Sequence, residues 1–155
     1  NHLFINFVFD TSVYFFVSYR KTKLKKGQFI HSIKIPLPEK NIFKAYKISK
    51  RFDDDISSVC GAFNLEIKNN KIISAKIAYG GMSSTPKRAI LCEKMLLNSI
   101  MSEKIIHKAQ EALENDFKPI SDMRASSLYR IEVAKNLLEK CFAEIKLKKS
   151  IGVYA

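Results

Sequence analysis

The sequence predicts an α+β domain in which a small antiparallel sheet of three or four strands packs against about three helices. Three observations predict it. Alternating apolar residues flank an adjacent pair of asparagines, Asn69 and Asn70, in the first half of the chain. Three stretches of helical periodicity occupy the second half. No strand–helix–strand rhythm interleaves the two, so a parallel sheet is not expected.

The elements follow in order. Leu3 to Tyr19 is rich in Phe, Val and Ile but is broken by Asn6, Asp10, Thr11 and Ser12. A spanning helix needs about 20 apolar residues without such breaks. Cations ahead of the stretch and a small-residue cleavage site behind it, the marks of a secretory signal, are both missing. The expectation is a cytoplasmic protein with no membrane partner. Gln28 to Pro36 alternates Phe29, His31, Ile33 and Ile35 against Ile30, Ser32 and Lys34, which predicts a strand ended by Pro36. Asn41 to Ile48 reads as a short helix or turn.

Cys60 to Ile67 places Phe63, Leu65 and Ile67 on one face. Lys71 to Tyr79 does the same with Ile73, Ala75, Ile77 and Tyr79. Asparagine tolerates the left-handed conformation of a tight turn, so Asn69 and Asn70 close a hairpin between them. Thr85 can cap a helix that starts at Pro86 and carries Ile90, Leu91, Met95 and Leu97 as its apolar side. Ser102 can cap the next, with Ile105, Ile106, Ala109 and Leu113 facing inward. The longest helix runs from about Arg124 to Lys146, capped by Ser121 or Asp122. Its apolar positions are Leu128, Ile131, Ala134, Leu138, Cys141, Phe142 and Ile145. Lys146, Lys148 and Lys149 suit the negative end of its dipole.

Apolar residues make up 46% of the 155, which excludes disorder by composition. The net charge of +12 is uneven: Ser18 to Arg51 holds eleven Lys or Arg and one acid, Glu39. Such a block can steer acidic partners. Lysine far outnumbers arginine, however, and specific base contacts lean on Arg, so a solvated lysine-rich face is the plainer reading and no nucleic acid is expected. Cys60, Cys92 and Cys141 are far apart, with no CxxC pair, and His2, His31 and His107 are dispersed. Neither set builds a metal or iron–sulfur site. The cysteines read as small core residues in a reducing compartment.

Three polar stretches could carry chemistry. In KISKRFDDDIS, Lys47 to Ser57, cations precede three carboxylates; a Ca²⁺ loop would need alternate ligands and a placed glycine, so a surface loop is the simpler account. In IAYGGMSSTPKRA, Ile77 to Ala89, Gly80 and Gly81 sit between a strand and a helix start. Backbone N–H groups there could hold an anion, but the pair lacks the spacing of a nucleotide motif, and a turn needing positive φ explains it as well. In FKPISDMRASSLYR, Phe117 to Arg130, capping and an ion pair account for the polar residues.

Taken together and in this order, SYRKTKLKKGQFI (Ser18 to Ile30), YKISKRFDDDISSVCGAF (Tyr46 to Phe63), IAYGGMSSTPKRA and FKPISDMRASSLYR resemble the carboxy-terminal domain of the carbon monoxide dehydrogenase flavoprotein family. Within that family they are most similar to the end of the xanthine dehydrogenase small, FAD-binding subunit. The resemblance covers roughly Tyr14 to Ala143. It divides the chain into an unmatched segment 1–13, the domain at 14–146 and a basic tail at 147–155.

The resemblance implies a place in an electron path. A molybdenum cofactor in a large subunit oxidises the substrate, two iron–sulfur clusters relay electrons to FAD, and FAD reduces NAD. It further implies that the glycine-rich FAD loop lies upstream and is absent here. With Asn1 in place of Met, that sets the expectation of a fragment, inactive alone. Three positions carry over by motif match. Ile30 packs near the flavin, Lys47 reaches its ring, where a cation favours the negative charge of the reduced form, and Asp54 lies in a loop that tunes access and potential. Gly80, Gly81 and Arg124 are assigned to structure. Alternatives from other classes are a non-catalytic remnant of a split or decayed gene and a basic nucleic-acid-binding module built on residues 18–51; within the family the alternative is the flavoprotein subunit of another molybdenum hydroxylase.

Overall fold

A computed structural model describes residues 15–33, 41–51 and 54–150 of the chain. The unmatched segment 1–13, Lys34 to Pro36 and the end of the basic tail lie outside them. Among the described residues are two antiparallel sheets and three helices, and the α+β class is the one the sequence predicts. Strands β1 (Phe16–Ser18) and β2 (Lys21–Thr22) form a small hairpin that the sequence reading missed. A four-stranded meander follows, in the order β3 (Ile42–Ile48), β4 (Val59–Lys68), β5 (Lys71–Gly80) and β6 (Lys87–Arg88). Helices α1 (Ile90–Leu96), α2 (Glu103–Asp116) and α3 (Ser127–Leu147) complete the chain order.

The β4–β5 hairpin forms where expected, with Asn69 and Asn70 at φ of 48° and 61°. Its register shifts at one place: Glu66 pairs with Ser74 while Ile67 pairs with Ile72, leaving Ile73 as the extra residue. A bulge of this kind moves the side-chain alternation by one position. Ile72 is therefore the fully buried isoleucine, and Ile73, expected inside, is only half-buried.

Three further expectations are corrected. Asn41 to Ile48 is a strand, not a helix or turn. Its alternation is masked because Lys44 stands on the half-buried face and Phe43 on the exposed one. Residues 28–32 are irregular, not a strand: apolar alternation needs a partner strand to become structure, and these residues have none in either sheet. Helix α1 starts at Ile90, not Pro86, because Lys87–Arg88 pairs with β5. It buries Cys92, Glu93 and Leu96, while Ile90, Leu91, Met95 and Leu97 stay partly exposed. Its first-turn N–H groups are satisfied by Asp116: Leu91 and Cys92 donate to that carboxylate at 3.0 and 2.9 Å.

Ser102 caps α2 as expected, accepting from the Ile105 N–H. Helix α3 starts three residues later than expected. Ser126, not Ser121 or Asp122, accepts from the Tyr129 N–H, and Leu128 is exposed. Asp122 instead folds the preceding turn, accepting from the Arg124 and Ala125 N–H groups.

The core lies between the helices and one face of the sheet. Val59, Phe63, Leu65, Ile77 and Tyr79 meet Leu113, Phe117, Leu138 and Phe142 there, all essentially inaccessible to water. Tyr46, Phe63, Tyr79 and Phe117 form a chain of ring contacts with centroids 5.5 to 5.7 Å apart. Gly61 makes room for it. A Cβ there would stand 3.0 Å from the Phe63 ring and 3.1 Å from Tyr79.

Candidate functional site

With the helices on one side, register fixes which residues share the other face of the sheet. Lys47 pairs with Cys60 and Cys60 with Gly80; Ala45 pairs with Ala62 and Ala62 with Ala78; Phe43 pairs with Asn64 and Asn64 with Lys76. Alternation puts these three rows on the face turned away from the core. Along β3 the residues of this face, Phe43, Ala45 and Lys47, are exposed. Small side chains make its middle shallow, and Lys47 stands at its edge. The Asn64 carboxamide oxygen is buried on this face and has no donor among the described residues.

Cys60 was expected in the core. It is half-buried on this open face instead. Burial pushes its thiol pKa up, while the Lys47 ammonium pulls it down. The two side chains are therefore electrostatic neighbours as well as register partners. Cys92 and Cys141 are buried, and burial raises both, Cys141 to about 12.

Beyond Ile48 the chain enters the acidic loop. Asp54 is exposed, with φ of 48°, a left-handed conformation that Asp tolerates better than most residues. Its neighbour Asp55 holds the loop together, accepting from the Arg51 and Ile56 N–H groups at 3.1 and 2.9 Å. The Arg51 amide is the main reason its carboxyl lies below the usual range. Thus Lys47 and Asp54 sit seven positions apart, one on the open face and the other in the loop that leaves it. Ile30 lies in the irregular stretch before β3 and is 39% exposed.

Helix α3 holds this region at two places. Near its start, Arg130 donates to the carbonyls of Ser58 and Gly81 and pairs with Asp122 at 2.7 Å. Gly81 permits this with φ of 80°; a Cβ there would fall 2.3 Å from the Ser58 oxygen. Lys50 adds a bond to the Met123 carbonyl at 2.6 Å, beside an open cleft of about 490 Å³ lined by Ser49, Asp122, Arg124 and Tyr129. Near its end, Glu144 is 3% exposed and accepts from the Tyr46 hydroxyl at 2.9 Å. It also pairs with Lys44 at 3.0 Å and Lys140 at 2.8 Å.

Sequence reading missed Tyr46, Cys60, Arg130 and Glu144 as parts of one arrangement. Reading 42–48 as a strand would have paired Tyr46 with Gly61, but nothing local connects either end of α3 to β3. Among the described residues no group of His, Cys, Asp and Glu could hold a metal ion, and no helix is long and apolar enough to cross a membrane.

A family model, the CO dehydrogenase flavoprotein C-terminal domain, matches residues 44–145, well over half the chain. The chain belongs to that family. This flavoprotein C-terminal domain is 32% identical over 127 residues to the glyceraldehyde dehydrogenase medium chain of Sulfolobus acidocaldarius, covering 80% of this chain and 44% of the relative. It is 29% identical over 139 residues to a xanthine dehydrogenase of Blastobotrys adeninivorans, covering 84% of this chain and 10% of that one. Quinoline 2-oxidoreductase from Pseudomonas putida 86 shares the fold, with a TM-score of 0.72 at 20% identity over 89% of this chain and 48% of its own. The domain thus spans less than half the length of these relatives.

The residue types on the open face suit one side of a planar ring such as a flavin. It is shallow where Ala45, Ala62 and Ala78 lie in a row, it carries a cation at its rim, and it holds an amide oxygen without a donor among the described residues. The remainder of such a site would come from outside the described residues.

Proposed function

We propose that this flavoprotein C-terminal domain forms one wall of the FAD site in a xanthine dehydrogenase-type oxidoreductase of the cytoplasm. FAD bound there would take electrons from iron–sulfur clusters and deliver them to NAD, while a molybdenum-binding large subunit carries out the substrate chemistry. The observation that carries this reading is the Lys47 ammonium, exposed on the open sheet face and next in register to Cys60. A fixed cation at the rim of a flavin favours the more negative redox state. Lys47 would hold the ring by charge, Ile30 would add apolar cover, and Asp54 in the adjoining loop would limit access and oppose build-up of negative charge. The family is a flavoprotein family, and a xanthine dehydrogenase is among the relatives.

The test is Lys47→Ala in the flavin-loaded protein that contains this domain. The flavin midpoint potential should fall, or FAD should dissociate more readily. Unchanged potential together with unchanged FAD occupancy refutes the role of Lys47. A second reading, the flavoprotein subunit of another molybdenum hydroxylase, is supported by the 32% identity to the glyceraldehyde dehydrogenase medium chain over 80% of this chain. Reduction of the bound flavin by xanthine against aldehydes, in the assembled complex, separates the two.

A further inference from the structure

We propose that Glu144 is a positioning residue for Lys47: from α3 it anchors the edge strand β3 and so sets where the Lys47 ammonium stands on the open face. Among the described residues β3 is the outermost strand of its sheet, with β4 as its neighbour on one side only. An edge strand held by one ladder depends on its side chains for a fixed position. The inward residues of β3 are Ile42, Lys44, Tyr46 and Ile48. Two of these four end on one carboxylate. Tyr46 donates to Glu144 at 2.9 Å and Lys44 pairs with it at 3.0 Å. Lys140, one turn before Glu144, pairs with its other oxygen at 2.8 Å and lies over the Tyr46 ring, 5.3 Å from its centre.

Glu144 is thus a buried hub with at least three partners, two of them on β3. A buried carboxylate with charged and phenolic donors holds its partners in a narrow geometry. Tyr46 and Lys47 are adjacent on β3 and point to opposite faces of the sheet. The bond that fixes Tyr46 on the core side therefore fixes the backbone from which Lys47 projects on the other. The arrangement is itself costly, since burying the Glu144 carboxylate against two partly exposed ammonium groups is rarely a net gain in stability over apolar packing. A positional role gives a reason for charge at a site where packing alone would hold the sheet to the helix. The significance for flavin rests on the reading of Lys47 above, but the positioning itself does not.

Cys60 reports on it directly, because its register partner is Lys47 and that ammonium depresses its titration. The experiment is the pH profile of Cys60 alkylation in this chain, read site by site by mass spectrometry, for Glu144→Gln, Tyr46→Phe, Lys47→Ala and a packing control, Leu113→Ala. Glu144→Gln and Tyr46→Phe should move the Cys60 profile upward, towards that of Lys47→Ala, with an alkylation rate near neutral pH reduced about threefold to tenfold, the range expected for coupled neighbours. The sign is diagnostic. Loss of a nearby negative charge acting directly on the thiol would move the profile down. In the Lys47→Ala background neither substitution should raise it further. Leu113→Ala should leave it in place despite a comparable loss of stability. The proposal is overturned if Lys47→Ala shifts Cys60 while Glu144→Gln and Tyr46→Phe do not, or if Lys47→Ala itself has no effect. If the Cys60 profile moves as stated but flavin potential and occupancy in the loaded protein do not, the positioning stands and the flavin role of Lys47 falls.

Discussion

Arg130→Met removes a guanidinium and keeps most of the length of the side chain. Arg130 is 3% exposed and donates to three groups: the Ser58 carbonyl, the Gly81 carbonyl at 2.8 Å and the Asp122 carboxylate at 2.7 Å. Their losses are unequal. Ser58 is 2% exposed, so water cannot readily replace the lost donor at its carbonyl, and an unsatisfied buried acceptor costs about 1–3 kcal/mol. Gly81 is exposed and the Asp122 side chain is 26% exposed. Both can turn to solvent, so the Gly81 loss is about 0.5–1 kcal/mol and the exposed Asp122 pair adds little. One term runs the other way. The Arg130 Nε is buried without a partner among the described residues, and deleting an unpaired buried donor returns about 1 kcal/mol. The net loss should be about 0.5–3 kcal/mol. Urea unfolding of the chain measures it. With a slope near 2 kcal/mol per molar urea, the midpoint should fall by about 0.3–1.5 M at unchanged slope. Arg130→Lys keeps the charge and one or two of the bonds, and should recover part of the loss. A midpoint within about 0.3 M of the parent would mean that the loop from Ser49 to Ser58 is held by something other than this clamp.

Two other outcomes follow from the same contacts. The Arg124 amide, then the Ala125 amide and the Arg130 guanidinium, hold the Asp122 carboxyl down at about 2. A depressed native pKa adds stability above the ordinary carboxylate range and loses it as pH falls. Unfolding midpoints should therefore decline between about pH 4 and pH 2, and Asp122→Asn should flatten that part of the profile; an identical decline in the variant would refute the assignment. Asp116→Ala removes both acceptors from the first turn of α1. It should cost about 1–2 kcal/mol, as loss of a helix cap does, with faster hydrogen exchange concentrated at Leu91 and Cys92. Uniform exchange changes along the chain would count against a local cap.

Legibility differed from element to element. The β4–β5 hairpin was readable because its signal is local: two alternating runs and a pair of residues that accept positive φ. The capping of α2 by Ser102 was readable for the same reason, since donor and acceptor lie three positions apart. The α+β class followed from the order of the two periodicities. The four ordered motifs pointed to the flavoprotein family before any coordinate was known, although periodicity alone left each of them as a plain loop or cap.

What the sequence by itself determined, then, is whatever a residue decides with its near neighbours: the class of fold, the tight turn, the presence of the long helix and the family. Only tertiary structure decided which isoleucine of Ile72 and Ile73 is buried, because a bulge against Glu66 and Ile67 resets the alternation. It also decided where α1 begins, through a carboxylate 24 residues downstream of Cys92, and that Asn41 to Ile48 is a strand, through pairing with β4. The joining of Tyr46 to Glu144, 98 positions apart, belongs to the same group. The physical reason is common to all four. Hydrogen-bond partners and burial depend on which surfaces meet, and pairings across tens of residues leave no periodic trace in the chain that makes them.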